Sequence, residues 1–353
     1  MGLSGGVDSA VAALLLKRSG FEVIGAFMIN FSDTKSKVTG DCNYLEDKKD
    51  AQKIASILKI PLKILNYEKE YKSEVIKKMF RDYSMGLTPN PDSLCNEKIK
   101  FPYLWKEAKN LGCDYIATGH YAKIERIGGQ YTLKIPKDRK KDQTYFLYGL
   151  SSSDLEHTLF PLADLTKEET RRIAKKNKFP NYNKKGTSGV CFVGDINMKK
   201  FLAQKIKQKK GKIILANGKI IGFHKGTAFY TIGEKIGESK GVQLIKHFGE
   251  KLYVAGKNNK SNILVVATKG SPILFKKRFI IQNPTWINSP PKFPAKIKVR
   301  IRHLGKLNPA TLIKKKNKII CTLKNPISGL AEGQSAVIYT GLTALGGGEI
   351  RYA

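Results

Sequence analysis

The opening stretch Met1-Gly2-Leu3-Ser4-Gly5-Gly6-Val7-Asp8-Ser9 constrains this chain more than any other. Two adjacent glycines stand between two serines, and an apolar run (Val11, Ala12, Leu14, Leu15, Leu16) follows at once. Glycine takes backbone angles closed to other residues and lets a ligand approach the main chain. The N–H groups of Gly5 and Gly6, with those opening the next helix, then face one point at a positive helix end, which suits a phosphate or pyrophosphate. Ser4 and Ser9 add hydroxyl donors, and Asp8 is placed to cap the helix. An ordinary glycine turn before a helix is the other reading, and a bare Ser-Gly-Gly would favour it. Neither Gly-x4-Gly-Lys-Ser/Thr nor Gly-x-Gly-x-x-Gly occurs, so the phosphate hypothesis rests on this loop alone. A buried strand normally leads into such a loop. Here almost nothing precedes it, so the expectation is a start assigned too late or a lost central strand, with the sheet exposed.

The first half of the chain alternates helix and strand. Residues 9–19 read as a helix stopped by Gly20, Phe21–Met28 as a strand, and Asp47–Lys59 as a helix with Ala51, Ile54, Ala55 and Leu58 on one face. Leu62–Leu65 reads as a strand and Glu68–Tyr83 as a charged helix. The stretch from Gly86 to Asp92 is too rich in proline for either. Phe101–Leu111 reads as a helix, and Asp114–Thr118 as a strand running into Gly119-His120. This alternation predicts an α/β domain with a parallel sheet covered by helices. Ligands of such sheets bind at the carboxyl ends of strands, where the glycine loop, Met28 and Gly119-His120 all fall.

Residues 121–136 read as a hairpin around Gly128-Gly129, and Thr166 to Glu169 as a capping box opening a helix to about residue 178. After residue 196 the texture changes. Met198–Gln208 reads as one helix, Asn217-Gly218 as a hairpin turn, and glycines punctuate the rest. Near residue 268 prolines interrupt the chain, and strands follow at Lys296–Arg302, Lys318–Leu323 and Ser335–Tyr339. The expected division is 1–196 for the α/β domain, 197–267 for a small mainly-β domain, and 268–353 for an antiparallel barrel or sandwich.

Composition narrows the partners. Lys and Arg number 64 against 29 Asp and Glu, a net charge of +35 spread along the chain. A polyanion, nucleic acid foremost, accounts for such an excess; a lysine-rich composition on solvated helix faces is the alternative. No apolar run approaches the roughly 18 residues of a membrane span and no signal peptide is visible, so no membrane partner is expected. The five cysteines (Cys42, Cys95, Cys113, Cys191, Cys321) form no Cys-x-x-Cys pair, and His-Glu-x-x-His is absent. A zinc site is therefore not expected, and a reducing, cytoplasmic setting fits.

Two cysteines stand apart. Cys95, in Asp92-Ser93-Leu94-Cys95-Asn96, follows the proline break, which places it in an accessible loop near Lys98 and Lys100, cations that favour a thiolate. Cys191 lies in the glycine-rich, lysine-flanked stretch Gly186-Thr187-Ser188-Gly189-Val190-Cys191-Phe192. A transient disulfide between them and mere coincidence are both compatible with the pattern. Cys113 and Cys321 read as ordinary core thiols.

The whole of Ser4-Gly5-Gly6-Val7-Asp8-Ser9 resembles the PP-loop of the ATP pyrophosphatase superfamily. In order along the chain come Thr88-Pro89-Asn90-Pro91-Asp92 with Leu94-Cys95-Asn96, Thr118-Gly119-His120-Tyr121, Lys141-Asp142-Gln143, the Cys191 stretch, Gly226-Thr227 through Tyr230-Thr231-Ile232-Gly233, and Gly333-Gln334-Ser335. Together these resemble the bacterial tRNA-specific 2-thiouridylase family over nearly the whole chain. The resemblance implies ATP-dependent 2-thiolation of the wobble uridine of tRNA, with ATP and Mg²⁺ as cofactors. It implies a cysteine desulfurase or a relay protein as sulfur donor. It gives Cys191 the persulfide, Cys95 the role of nucleophile and Asp92 that of acid–base partner. It implies ATP contacts at Gly2, Leu3, Ser4, Gly5, Gly6, Val7, Asp8, Ser9, Met28 and Gly119. Contacts to tRNA would fall on Asn90, Pro91, Asp92, His120, Lys141, Asp142, Gln143, Arg300, Ile301 and Gln334. The family commonly has an aromatic where Ile301 stands, so a backbone contact is the expectation there. Another PP-loop adenylating ligase, or a noncatalytic tRNA-binding protein with a relic nucleotide loop, are the competing readings.

Overall fold

The computed structural model describes residues 1–32, 43–184, 197–245, 248–316 and 318–353. Its first region is a parallel sheet between helices, and Met1–Leu3 hold that sheet together. The strand Gly25–Ile29 pairs in parallel with Leu62–Asn66, and Ile116–Ala117 with Thr158–Leu159. Between these two pairs, Gly2 forms a parallel bridge to Ala26 and donates its N–H to the Ala117 carbonyl at 2.8 Å. Leu3 N–H donates to the Ala26 carbonyl, and Ala26 N–H to the Met1 carbonyl, each at 2.8 Å. The expectation of a missing central strand is thereby corrected. Three residues occupy the central position, and Leu3 is buried there.

The helix Val7–Arg18 leaves this short strand through the glycine turn and buries Ala10, Val11, Ala12 and Ala13. It packs with Leu3, Phe27 and the Ala51, Ile54, Ala55 and Leu58 face of the helix Asn43–Leu58. The capping box forms as read: Thr166 accepts from Glu169 N–H, the Glu169 carboxylate accepts from Thr166 N–H, and the helix Lys167–Lys176 follows. Glu68–Ser84 is helical but interrupted by a wider turn at Lys72–Ile76.

The proline break departs from expectation. Pro91 opens a short helix, Pro91–Cys95, instead of ending regular structure. Proline at the first helical position lacks only an N–H that would have had no partner, and its fixed φ suits the helix. Asn90 caps it, accepting from Ser93 N–H at 3.3 Å. A wide turn, Asn96–Lys100, then leads directly into the helix Phe101–Asn110.

The second region is a five-stranded sheet ordered Leu252–Asn258, Ile263–Thr268, Gly211–Leu215, Ile220–His224 and Gln243–Leu244. Gly218, at φ 84°, turns the hairpin expected at Asn217-Gly218. The helix before this sheet, Met198–Ala203, is shorter than expected. The third region is a closed barrel of six antiparallel strands: Phe275–Trp286, Lys318–Ser328, Asn308–Lys315, Ala295–Arg300, Ser335–Thr340 and Thr343–Tyr352, the last pairing back to the first. Its interior holds Phe279, Val299, Leu312, Leu323 and Cys321. Burial pushes the Cys321 thiol up to about 12, as befits a core cysteine.

The hairpin of Lys123–Ile127 and Gln130–Lys134 does not remain with the first region. Its second strand pairs with the barrel, Thr343 with Lys134 and Ala344 with Leu133. An ion pair seals the same contact. Asp142 is wholly buried and accepts from Arg300 Nη1 at 2.5 Å, from Thr144 N–H at 2.9 Å and from Thr144 Oγ1 at 2.7 Å. The Arg300 guanidinium also lies 5.2 Å from the centre of the Tyr339 ring. Removing one partner of such a pair strands the other charge in a dry interior. Arg300→Met should therefore lower stability by about 3–5 kcal/mol in urea unfolding. Adding Asp142→Asn should recover much of the loss, because no bare charge is then left.

Candidate active site

The glycines of the loop divide their work. Gly5 has φ 76°, and a Cβ there would lie 2.2 Å from the Asp47 carbonyl oxygen. A Cβ on Gly119 would lie 2.7 Å from Ser9 N. Both positions serve close approach of chain to chain: the loop against the second helix, and a strand end against the first helix. Gly6 is the open one, with only Ser4 Oγ, at 3.4 Å, within contact range of its missing Cβ. It is also the N-cap, and no side chain caps the helix there. First-turn N–H groups are thus left without a capping acceptor at the positive helix end, which is the arrangement that binds phosphate.

Asp8 does not cap this helix, contrary to expectation. Its carboxylate accepts from Lys167 Nζ at 2.5 Å and from Tyr121 Oη at 3.0 Å, tying the helix to the capping-box helix. Burial, and then the Asp8 charge, push the Tyr121 phenol well above its ordinary value, so it stays a donor. The two serines join each other, with Ser4 N–H donating to Ser9 Oγ at 3.1 Å and the hydroxyls 3.2 Å apart. Behind the loop, buried Asn181 donates to the Gly5 carbonyl at 2.9 Å. Lys184 Nζ bridges Asp47 at 2.7 Å and Asp50 at 2.6 Å. Asn181, Lys184, Tyr121 and Lys167 were not legible as supports of the loop. Each acts on a partner far away in sequence, so no local spacing marks it.

Met28 is buried in the strand Gly25–Ile29, at whose carboxyl end the chain passes Asn30 and Phe31. His120 accepts from or donates to Thr118 Oγ1 through Nδ1 at 2.7 Å and stacks on Phe101, with ring centres 5.8 Å apart. Burial, and then the Lys100 charge, hold its pKa well below the ordinary histidine value, so the ring is neutral near pH 7. Gln143 braces the next residue: its Oε1 accepts from Tyr121 N–H at 2.8 Å, and its N–H donates to the Tyr121 carbonyl at 2.9 Å.

Cys95 ends the helix Pro91–Cys95 and is 0% exposed, so the expected accessible loop is corrected. The helix that Pro91 begins turns the sulfur inward, into the buried cluster that also includes Met28, Tyr71, Ile99 and Phe101. Asp92, on the same helix, is half-buried. Cys191, with Cys42 and the rest of 185–196, lies outside the described residues. Among the described residues no group of three or more His, Cys, Asp or Glu side chains is placed to hold a metal ion.

The segment ahead of this helix is held by both later regions. Thr88 donates its N–H to the Glu332 carbonyl at 2.8 Å and its Oγ1 to Thr231 Oγ1 at 3.4 Å. Gln334 Nε2 donates to the Thr88 carbonyl at 3.2 Å, and Asn90 Nδ2 to Ser335 Oγ at 3.1 Å. Gly333, at φ 90°, allows this approach, since a Cβ there would lie 2.9 Å from Thr88 N. Asn90, Pro91, Asp92 and Gln334 therefore share one place. Asp142 and Arg300 share another, where their side chains are buried against each other, and Ile301 is buried beside them. Lys141 is exposed.

Comparison with known proteins agrees with this layout. The family models that match are described as a tRNA methyl transferase HUP domain over residues 1–195, a tRNA methyl transferase PRC-barrel domain over 199–268, and an aminomethyltransferase beta-barrel domain over 276–350. The tRNA-specific 2-thiouridylase MnmA 2 of Aliarcobacter butzleri is 38% identical over 360 residues, covering 100% of this chain and 97% of that relative. The tRNA-specific 2-thiouridylase MnmA 1 of Geobacillus kaustophilus is 41% identical over 350 residues, covering 98% of this chain and 93% of that relative. A solved U34-tRNA thiolase NcsA from Methanococcus maripaludis aligns with a TM-score of 0.34 at 19% identity, covering 55% of this chain and 60% of that one, too distant to bear on function. With likeness of this depth along its full length, the chain belongs to the tRNA-specific 2-thiouridylase family.

Proposed function

We propose that this protein is an ATP-dependent sulfurtransferase that converts the wobble uridine of tRNA to 2-thiouridine, releasing AMP and pyrophosphate. The full-length relation to curated 2-thiouridylases carries the reading. The chain divides for this task into a catalytic domain at 1–196, a central domain at 197–267 and a barrel at 268–353. The excess of basic residues, 64 against 29 acidic, suits a tRNA partner whose affinity falls steeply with salt. No described helix is long and apolar enough to cross a membrane, and a cytoplasmic setting is part of the proposal.

The chemistry sets the parts. The C2 carbonyl of uracil is a poor electrophile without a leaving group. Adenylation of its oxygen by ATP supplies one. Residues Gly2 through Ser9, Met28 and Gly119 form the nucleotide site, with the uncapped helix end at Gly6 aimed at phosphate. Mg²⁺ would come with the ATP phosphates and screen them, since the described side chains offer no metal cage. The target base is swung out of the anticodon loop into the pocket. Asn90, Pro91 and Asp92 meet it, and Asp92 handles its proton. Cys191 carries the transferable sulfur as a persulfide received from a cysteine desulfurase or relay protein. Sulfur bonds to C2 as the oxygen leaves with AMP. The Cys95 thiolate attacks the Cys191 sulfur, the S–S bond of the persulfide breaks, and a Cys95–Cys191 disulfide remains. A thiol reductant supplies two electrons to reopen it. Because Cys95 is fully buried, the chain covering it must move before it reacts. His120, Lys141, Asp142, Gln143, Arg300, Ile301 and Gln334 complete the proposed tRNA contacts. Asp142, Arg300 and Ile301 do so through backbone, since their side chains are buried.

The test is to incubate protein, tRNA, ATP, Mg²⁺ and a persulfide source, then analyse the nucleosides by mass. The expected product is 2-thiouridine with matching AMP. Its absence from folded, ATP-binding protein would reject the proposal. Cys95→Ser and Cys191→Ser should each abolish 2-thiouridine while ATP affinity, followed by calorimetry, stays within about twofold; a different adenylating ligase would survive both changes. Gly119→Ala should weaken ATP binding by roughly tenfold or more, because the new methyl meets backbone at Ser9 and displaces the helix end.

A further inference from the structure

Among the described residues, Asn30 is the only buried carboxamide with neither end partnered. It is 1% exposed, and no group of the described residues accepts from its Nδ2 or donates to its Oδ1. Asn96 and Asn181 each lack a partner only at the oxygen; their nitrogens donate to the Phe146 and Gly5 carbonyls. A buried amide without partners is costly, and a group from outside the chain that completes it is one physical reason to retain it. A loose backbone does not explain it. On one side Tyr67 N–H donates to the Ile29 carbonyl at 2.9 Å; on the other Ser32 N–H donates to Glu68 Oε1 at 2.8 Å. The residue is pinned between two fixed points.

Its position says what completes it. Asn30 follows the carboxyl end of the strand Gly25–Ile29, beside Met1–Leu3, the strand that runs into the glycine loop. Of its neighbours, Met28 and Phe31 pack in one buried cluster, Phe31 with its ring centre 6.3 Å from that of Tyr71, while Phe27 and Ile29 pack in the other. The helix after the glycine loop packs in that other cluster, with Val7, Val11 and Leu14. Asn30 thus stands at the strand end between the two, tied to the Tyr71 side by Phe31.

We propose that the Asn30 carboxamide binds the target uracil, with Nδ2 donating to the C4 oxygen and Oδ1 accepting from N3–H. An amide presents one donor and one acceptor side by side, which matches that edge of the base. The contact leaves the C2 oxygen free for adenylation. The inference rests on the thiolation reading above and adds to it a base-binding residue. Adenine also offers a paired donor and acceptor, so it is the rival occupant.

Asn30→Leu tests this, being nearly isosteric and free of polar atoms. The melting temperature should stay level or rise, because the free protein loses no hydrogen bond. ATP affinity by calorimetry should be unchanged, while kcat/KM for tRNA in 2-thiouridine formation should fall roughly 10- to 100-fold. Asn30→Asp, which keeps acceptors and loses the donor, should show the same loss. A melting temperature lowered by several degrees would overturn the proposal, since the amide would then have a structural partner. Weakened ATP binding would overturn it in favour of adenine, and unchanged kcat/KM would overturn it outright. Wild-type protein that forms no 2-thiouridine in the same assay would sink the functional reading first, and this proposal with it.

Discussion

Main-chain hydrogen bonds at Gly2, Leu3 and Ala26 make one sheet out of two strand pairs. An unpaired buried backbone group costs about 1–3 kcal/mol, roughly twice what a single satisfied bond contributes net. The central position of a parallel sheet is buried on both faces, so the three residues there determine whether the sheet exists at all. They also set the direction in which the glycine turn departs, and with it the axis of the helix Val7–Arg18. The contacts of Asp8 with Tyr121 and Lys167, and of Gly119 with Ser9, all follow from that axis.

A second layer of organisation ties the three regions to one short segment. Residues Thr88 and Asn90 receive hydrogen bonds or give them to Thr231, Glu332, Gln334 and Ser335. The helix carrying Asp92 and Cys95 therefore begins from a point held by the central sheet and the barrel together. The buried Asp142–Arg300 pair does similar work elsewhere between the first region and the barrel. Polar contacts of this kind fix relative placement more than they add stability, because desolvation offsets much of the Coulomb gain. A molecule that must recognise a large, folded RNA benefits from surfaces held in fixed register.

What was legible in the sequence is what short spacing controls. The Thr166–Glu169 capping box and the Asn217-Gly218 turn formed where their residue patterns placed them, and the helix–strand alternation did so in outline, with the strand read at Phe21–Met28 running Gly25–Ile29 and the one read at Asp114–Thr118 only Ile116–Ala117. The glycine loop was legible as a phosphate grip, though Gly5 and Gly119 turned out to serve chain packing and Gly6 the open face. The Pro91 segment misled because proline breaks a helix interior yet favours a first turn, and only the Asn90 cap distinguishes the two cases. The barrel pairing of Gln130–Lys134 and the partners of Asp8 and Asp142 were not legible, since each joins residues far apart in sequence. Asn30 left no mark on the pattern at all; an apolar neighbourhood around one amide looks like a core position until its missing partners are seen.

The pairing of Thr343 and Ala344 with Leu133 and Lys134 has a consequence for synthesis. The ribosome releases the hairpin some two hundred residues before the strand that covers it (343 − 134 = 209). During that interval the nascent hairpin presents an open edge of main-chain donors and acceptors, which invites pairing with neighbouring chains. Completing translation is thus what closes this edge, and stalled or truncated products should be recovered in the pellet more than in the supernatant.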